Sequence, residues 1–265
     1  FNRMYGSFIP KGPATTRVPL TPGLLRAALK KMDANTSIGG DGWRVAELRA
    51  MPNAWMQRLC ELLTAIEDTG MWPEVLAKGL IAPIPKEEGA TAKDVRPITV
   101  MSVIYRAWAG TRVRELVQWM ETWATDDLHS YRPERGCDGA WLALALEVEE
   151  SILNGSPLCG VSTDFAKAFD RLPFHLLLEM AREAGAEAGI LKALQGMHTQ
   201  LERRFKLGEG LVGTGSSSTK GILQGCPISV IKARISPTSW LRGWVLRPRG
   251  CWQGGVLGEP LCWHS

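Results

Sequence analysis

Apolar residues recurring every three or four positions, interrupted by short apolar stretches punctuated with proline and glycine, limit this chain to a fold that mixes helices and strands. Thr21-Pro22 supplies an N-cap and a first-turn proline, and Leu24, Leu25, Ala28, Leu29 and Met32 then predict an amphipathic helix. Trp55, Leu59, Leu62, Leu63 and Ile66 predict a second, stopped by Gly70 and Pro73. Ile104, Trp108, Val113, Leu116, Val117 and Met120 mark a third, and Trp141, Leu142, Ala145, Val148 and Ile152 a fourth. Helices also suit 173–184 and 187–200. Residues 79–85, short and broken by Pro83 and Pro85, read as an edge strand. Further strands are expected at 158–165, at 202–207 and near 211. With no internal repeat, this order of elements is that of an α+β fold.

A chain of 265 residues with 45% hydrophobic content can bury a proper core, as one large domain or two smaller ones. The net charge of +4 is compatible with an anionic partner and equally with an ordinary soluble protein. Cys60, Cys137, Cys159, Cys226, Cys251 and Cys262 are widely spaced, with no C-x-x-C pair, which argues against a zinc site or a disulfide framework and fits a reducing compartment. No signal-type segment and no run of about 18 apolar residues occurs, so a soluble piece of a longer protein, away from the membrane, is expected.

From Val230 onward the character of the sequence changes. Lys232, Arg234, Arg242, Arg247 and Arg249 face one acid, Glu259, among four tryptophans, and Pro237, Pro248 and Pro260 break what periodicity there is. Residues 230–265 are expected to be a divergent tail that packs poorly.

Four stretches carry chemistry. In "VSTDFAKAFDRLPF" a β-type run ends at Asp164, where rigid backbone can present a carboxylate to Mg²⁺; a loop or capping aspartate is the plainer alternative. Asp170, just ahead of Pro173 and a helix, reads as a capping acid. In "STKGILQGCPIS" glycines on either side of Ile222-Leu223-Gln224 allow backbone to approach a ligand, or simply make a turn. Lys86 in "PIPKEEG" and Arg96 in "DVRPITV" flank a polar loop on β-type arms, where a hairpin would bring two cations over a polyanion or leave them solvated. "SYRPERGCDGAWLAL" places Arg132, Arg135 and Gly136 in a loop that opens a helix, able to grip a phosphate backbone or merely to cap.

In this order and spacing, "IPKEEG", "RPITVMSVIYRAW", "SYRPERGCDGA", "STDFAKAFD" and "KGILQGCPIS" resemble the reverse transcriptase domain of a non-LTR (LINE-type) retrotransposon, and "SIGGDGWRVAEL" is similar to that family's fingers segment. The resemblance covers about residues 31–229. It implies the fingers and palm of a right-hand polymerase, with an incomplete palm and no thumb: fingers over 1–125, palm over 126–229, the tail over 230–265. It implies that Asp164 is the catalytic, metal-binding aspartate for Mg²⁺ (Mn²⁺ possible). Phe165 and Ala166 would lie against the incoming triphosphate, and Phe169 would sit beneath the sugar. Lys86 and Arg96 would hold the triphosphate, Gln224 and Gly225 would line the nucleotide, and Arg132, Arg135 and Gly136 would touch template or primer. Implied partners are an RNA template, a DNA primer and deoxynucleoside triphosphates, inside the cell in nucleus or cytoplasm. His129 departs from the family's usual Gln, which bears on local template contacts.

Two-metal phosphoryl transfer requires several carboxylates around cations about 3.5 to 4 Å apart. The family supplies an adjacent aspartate pair after the "QGCP" helix, yet residues 226–265 contain no aspartate. An inactive fragment of a polymerase is therefore expected, with a non-catalytic RNA- or DNA-binding remnant as the alternative. A hydrolase built on Asp164 and Asp170 lacks a helper histidine or a metal cluster.

Overall fold

A computed structural model describes residues 6–85, 95–126, 128–130, 132–159, 168–208, 210–217 and 221–229. Helix α1 (Pro22–Lys31) begins as its sequence predicts: the Thr21 hydroxyl accepts the Leu24 N–H at 3.3 Å and Pro22 opens the first turn. Helix α2 (Val45–Ala50) follows, started by the Glu47 carboxylate accepting the Arg44 backbone N–H at 2.8 Å. At six residues it is too short to show a hydrophobic period in the sequence.

Helix α3 (Asn53–Thr69) ends where Gly70 adopts the left-handed conformation, φ 78°. Its buried face carries Met56, Cys60, Leu63, Ile66 and Glu67, one position round from the expected stripe. Trp55, at 68% exposure, faces solvent. The stripe was hard to read because one of its members, Glu67, is charged and fully buried.

Strands β1 (Lys78–Pro85) and β2 (Val95–Val100) form an antiparallel pair with Leu80 opposite Val100 and Ile84 opposite Arg96. Helix α4 (Val103–Glu121) is the hub of the core. It buries Tyr105, Trp108, Leu116, Trp119 and Met120 around much of its circumference, and the edge-to-face rings of Trp72, Tyr105 and Trp108 fill the space beneath it. Helix α5 (Cys137–Leu153) forms where its pattern predicts, but among the described residues it buries only Ala140. Trp141, Leu142, Val148 and Ile152, expected as its core face, are exposed.

A single turn, α6 (Ala168–Arg171), precedes α7 (Phe174–Glu183) and α8 (Ala188–Gln200), both amphipathic and both packed into the core. Strands β3 (Glu202–Leu207) and β4 (Gly210–Ser216) close a hairpin with an irregularity between Arg203 and Phe205.

The four strands make one mixed sheet in the order β2-β1-β3-β4. This corrects the edge-strand expectation for 79–85: β1 is an inner strand, parallel to β3 over Lys78–Ile81 and antiparallel to β2. Its prolines are tolerated because Pro83 and Pro85 fall past the four residues that pair with β3. Strand β3 pairs antiparallel with β4 and meets β1 in parallel. The sheet thus takes strands from both sides of residue 125. The expected strand at 158–165 leaves Leu158 and Cys159 outside any element, and its remaining residues lie outside the described ones. The helices and the mixed sheet make this an α+β protein. Among the described residues, no helix is long and apolar enough to cross a membrane.

Candidate functional site

Strand β2, the turn at α6 and the loop at 221–226 are far apart in sequence and meet in space. Gly221 and Ile222 are tied to the α6 segment by Gly221 N–H to Leu172 O at 3.1 Å and Ile222 N–H to Phe169 O at 2.7 Å. A side chain at Gly221 would run into the backbone of Phe169 and Asp170, and φ is 82° there, so this contact needs glycine. Beyond it, Thr99 N–H of β2 donates to Gln224 O at 2.9 Å, and the Gln224 amide nitrogen donates to Asp170 Oδ1 at 3.2 Å. Gly225, φ 97°, lies against Ile98 and Thr99 so closely that a Cβ would be crowded at 3.0 to 3.2 Å.

Cys226 anchors the far end of the loop. Its Sγ is 3.0 Å from the buried Tyr105 hydroxyl on α4, and burial, reinforced by Cys226, pushes the Tyr105 pKa well above the ordinary value. Ser102 fixes the start of α4: its hydroxyl accepts from Ile104 N–H at 3.0 Å and donates to Asp41 Oδ2 at 2.7 Å. The Gly39–Asp41 stretch is thereby pinned beside the same helix.

Arg96 is exposed on β2, two residues from Ile98 and therefore on the same strand face as the side chain that Gly225 touches. It has no ion-pair partner among the described residues. Phe169 is half-buried against the core. Asp164, Phe165, Ala166 and Lys86 lie outside the described residues.

Two loop cations are already engaged. The Arg132 guanidinium binds Glu121, with Nη2 to Oε2 at 2.8 Å, and the Thr125 carbonyl at 2.6 Å. Arg135 binds the backbone oxygen and carboxylate of Asp126 at 2.6 and 2.5 Å. A nucleic-acid phosphate would have to compete with these carboxylates. Gly136, extended, is the N-cap of α5.

Asp170 does not cap α7 as its position in sequence suggests. The residue before α7 is Pro173, without a side-chain cap, because the extra turn α6 and Leu172 intervene. The carboxylate instead orients Gln224. Nearby, Arg203 of β3 feels the Asp170 charge; burial lowers its pKa more than Asp170 raises it, and its Nε finds no hydrogen-bond partner among the described residues. Arg203 and Thr99 carry no local sequence signal: each joins this face only through sheet pairing and chain reversal.

Among the described residues, no three His, Cys, Asp or Glu side chains gather to hold a metal ion. Asp170 has one carboxylate oxygen hydrogen-bonded to Gln224 and lies near Arg203. No protein-family model matches the chain, and neither does any curated protein.

Proposed function

We propose that the chain is the fingers and partial palm of an RNA-directed DNA polymerase of the non-LTR retrotransposon type, whose intact form adds deoxynucleotides to a primer paired with RNA. The observation that carries this reading is the convergence of three of the motifs that suggest it. Gln224 is bonded at once to β2, the strand of Arg96, and to Asp170, which closes the "STDFAKAFD" motif that contains Asp164.

In this reading Arg96, with Lys86, meets the triphosphate, Phe169 underlies the sugar, and Gln224-Gly225 borders the base. Mg²⁺ or Mn²⁺ would fall to Asp164. The described residues supply no further ligand set. Because residues 226–265 hold no aspartate, the 265-residue polypeptide should bind nucleic acid weakly without extending a primer.

Primer extension on an RNA template with Mg²⁺ or Mn²⁺ tests this. Three proteins are compared: this polypeptide, a version whose residues after Val230 are replaced by a palm segment bearing an adjacent aspartate pair, and that version with Asp164→Ala. Extension by the second protein alone is expected. No extension by a folded second protein overturns the polymerase reading, and extension by the 265-residue polypeptide overturns its inactivity.

A further inference from the structure

A second feature lies apart from the Arg96 and Gln224 face. Between α1 and α4 is a cleft of about 270 Å³ lined by Lys31, Thr36, Arg106, Arg114 and Pro227, with Ala28, Met32 and Gly110 completing its walls. Among the described residues no carboxylate lines it, and none of the three cations forms a salt bridge.

We infer that this cleft binds a backbone phosphate of a single-stranded nucleic acid. Arg106 is the deepest of the cations. One of its nitrogens donates to Ser37 O, while its Nε is buried with no hydrogen-bond partner among the described residues. Burial lowers its pKa despite the opposing effect of Asp41, so its charge is poorly solvated and an anion would relieve it. The hydrogen bond Arg114 makes among the described residues is a long one, to Ala27 O at 3.4 Å. Thr36 adds a hydroxyl.

Asp41 gives one oxygen to the Ser102 hydroxyl and, with Oδ1 buried and without a hydrogen-bond partner among the described residues, offsets only part of the Arg106 burial; Asp33 accepts from Asn35 N–H at 2.7 Å. The C-terminal end of α1, whose free carbonyls would repel an anion, is neutralised: the Arg49 guanidinium bonds to Leu29 O at 3.0 Å, to Lys30 O at 3.3 Å and to Met32 O.

Two observations favour a strand over a small free phosphate. Lys30 and Lys31 continue the positive surface out of the cleft into solvent. The loop that Ser37 anchors to Arg106 also presents Ile38 and Trp43 to solvent, at 38% and 39% exposure, as apolar surfaces on which bases can stack. The inference rests on the polymerase reading only for the choice of nucleic acid as the phosphate's source. Pro227 sits three residues past Gln224, so a strand held here would pass the Gln224 loop.

The test is fluorescence anisotropy of a labelled single-stranded RNA on the full chain between 50 and 200 mM salt. It compares wild type, Lys31→Glu/Arg114→Glu, the milder Lys31→Gln/Arg114→Gln, and Arg58→Glu/Lys192→Glu, which makes the same charge change as the first variant on other helices. A lost phosphate contact should flatten the plot of log K against log salt by about 0.7, so the first two variants should lose about 0.7 in slope while the Arg58/Lys192 variant keeps it. Trp43→Ala should weaken binding without changing the slope. An unchanged slope in the folded Gln variant overturns the inference. So does loss of pyrophosphate binding in that variant with RNA binding intact, which would make the cleft a small-anion site. Deoxynucleotide binding, measured in parallel, should survive both cleft variants. Its absence in wild type would instead count against the polymerase reading.

Discussion

Gln224 and Asp170, 54 positions apart, share a hydrogen bond of 3.2 Å from the amide nitrogen of one to the carboxylate of the other. The bond fixes which way the Gln224 amide points, since its nitrogen faces Asp170 and its oxygen is left for other partners. Asp170→Ala releases the amide. The bond is exposed, so folding stability should fall by no more than about 1 kcal/mol, while deoxynucleotide affinity drops and Asp170→Asn preserves part of it. Chemical denaturation and nucleotide titration on the same samples would separate the two effects; a large stability loss with unchanged affinity would make Asp170 purely structural.

The most consequential polar group in the core is Glu67. Arg112 holds it in a forked pair at 2.6 and 2.8 Å, Trp108 Nε1 donates to it at 2.7 Å, and Arg17 reaches it at 3.3 Å. Both Glu67 and Arg112 are fully buried. Burial pulls the Arg112 pKa down, but Glu67 and Glu115 together outweigh it and hold it above the ordinary value. Removing either partner strands a charge, so Glu67→Ala or Arg112→Ala should cost about 3 to 5 kcal/mol in urea unfolding. A joint replacement by apolar residues of similar volume should cost much less than the two single losses added together.

Tyr105 makes stability depend on alkaline pH. As an acid whose folded pKa is raised, it contributes stability that is fully present below its unfolded value, about 10, and is lost as pH rises from there toward the folded value. Thermal midpoints should therefore decline above that pH, and Tyr105→Phe should remove this part of the decline. A phenylalanine variant with the wild-type alkaline slope would assign the effect to other groups.

Helices α3 and α8 cross so closely that a Cβ on Gly196 would collide with the Gly70 carbonyl oxygen. Gly196→Ala cannot be absorbed by a side-chain movement because the obstacle is backbone. A loss of about 1 to 3 kcal/mol is expected in denaturant unfolding, in place of the gain usual for alanine within a helix.

Arg96→Ala should weaken deoxynucleotide binding several-fold and leave the thermal midpoint within error, since the side chain is exposed and unpaired among the described residues. Calorimetric titration with a deoxynucleoside triphosphate measures it. Equal affinity in the variant would place the triphosphate elsewhere.

Much of the local structure was legible from residue order. Thr21-Pro22 started α1 and Gly70 ended α3 because capping and left-handed backbone depend on a few neighbouring residues. The helices expected at 173–184 and 187–200 formed as α7 and α8, each with an apolar face buried in the core. The motifs around Arg96, Asp170 and Gln224 could likewise be singled out one at a time. What remained invisible depended on contacts between distant segments. Periodicity treats a charged residue as outward-facing, so it could not reveal that Glu67 is buried: its cost is offset by Arg112, 45 positions away. The same reasoning misplaced Trp55 and left β1 at a sheet edge, because parallel pairing with β3 joins Lys78 to Glu202 and leaves no mark on either local sequence. The Asp170–Gln224 bond, the Tyr105–Cys226 contact and the Lys31–Arg106–Arg114 cleft belong to this second kind, each made by chain reversal bringing ordinary side chains within a few ångströms of one another.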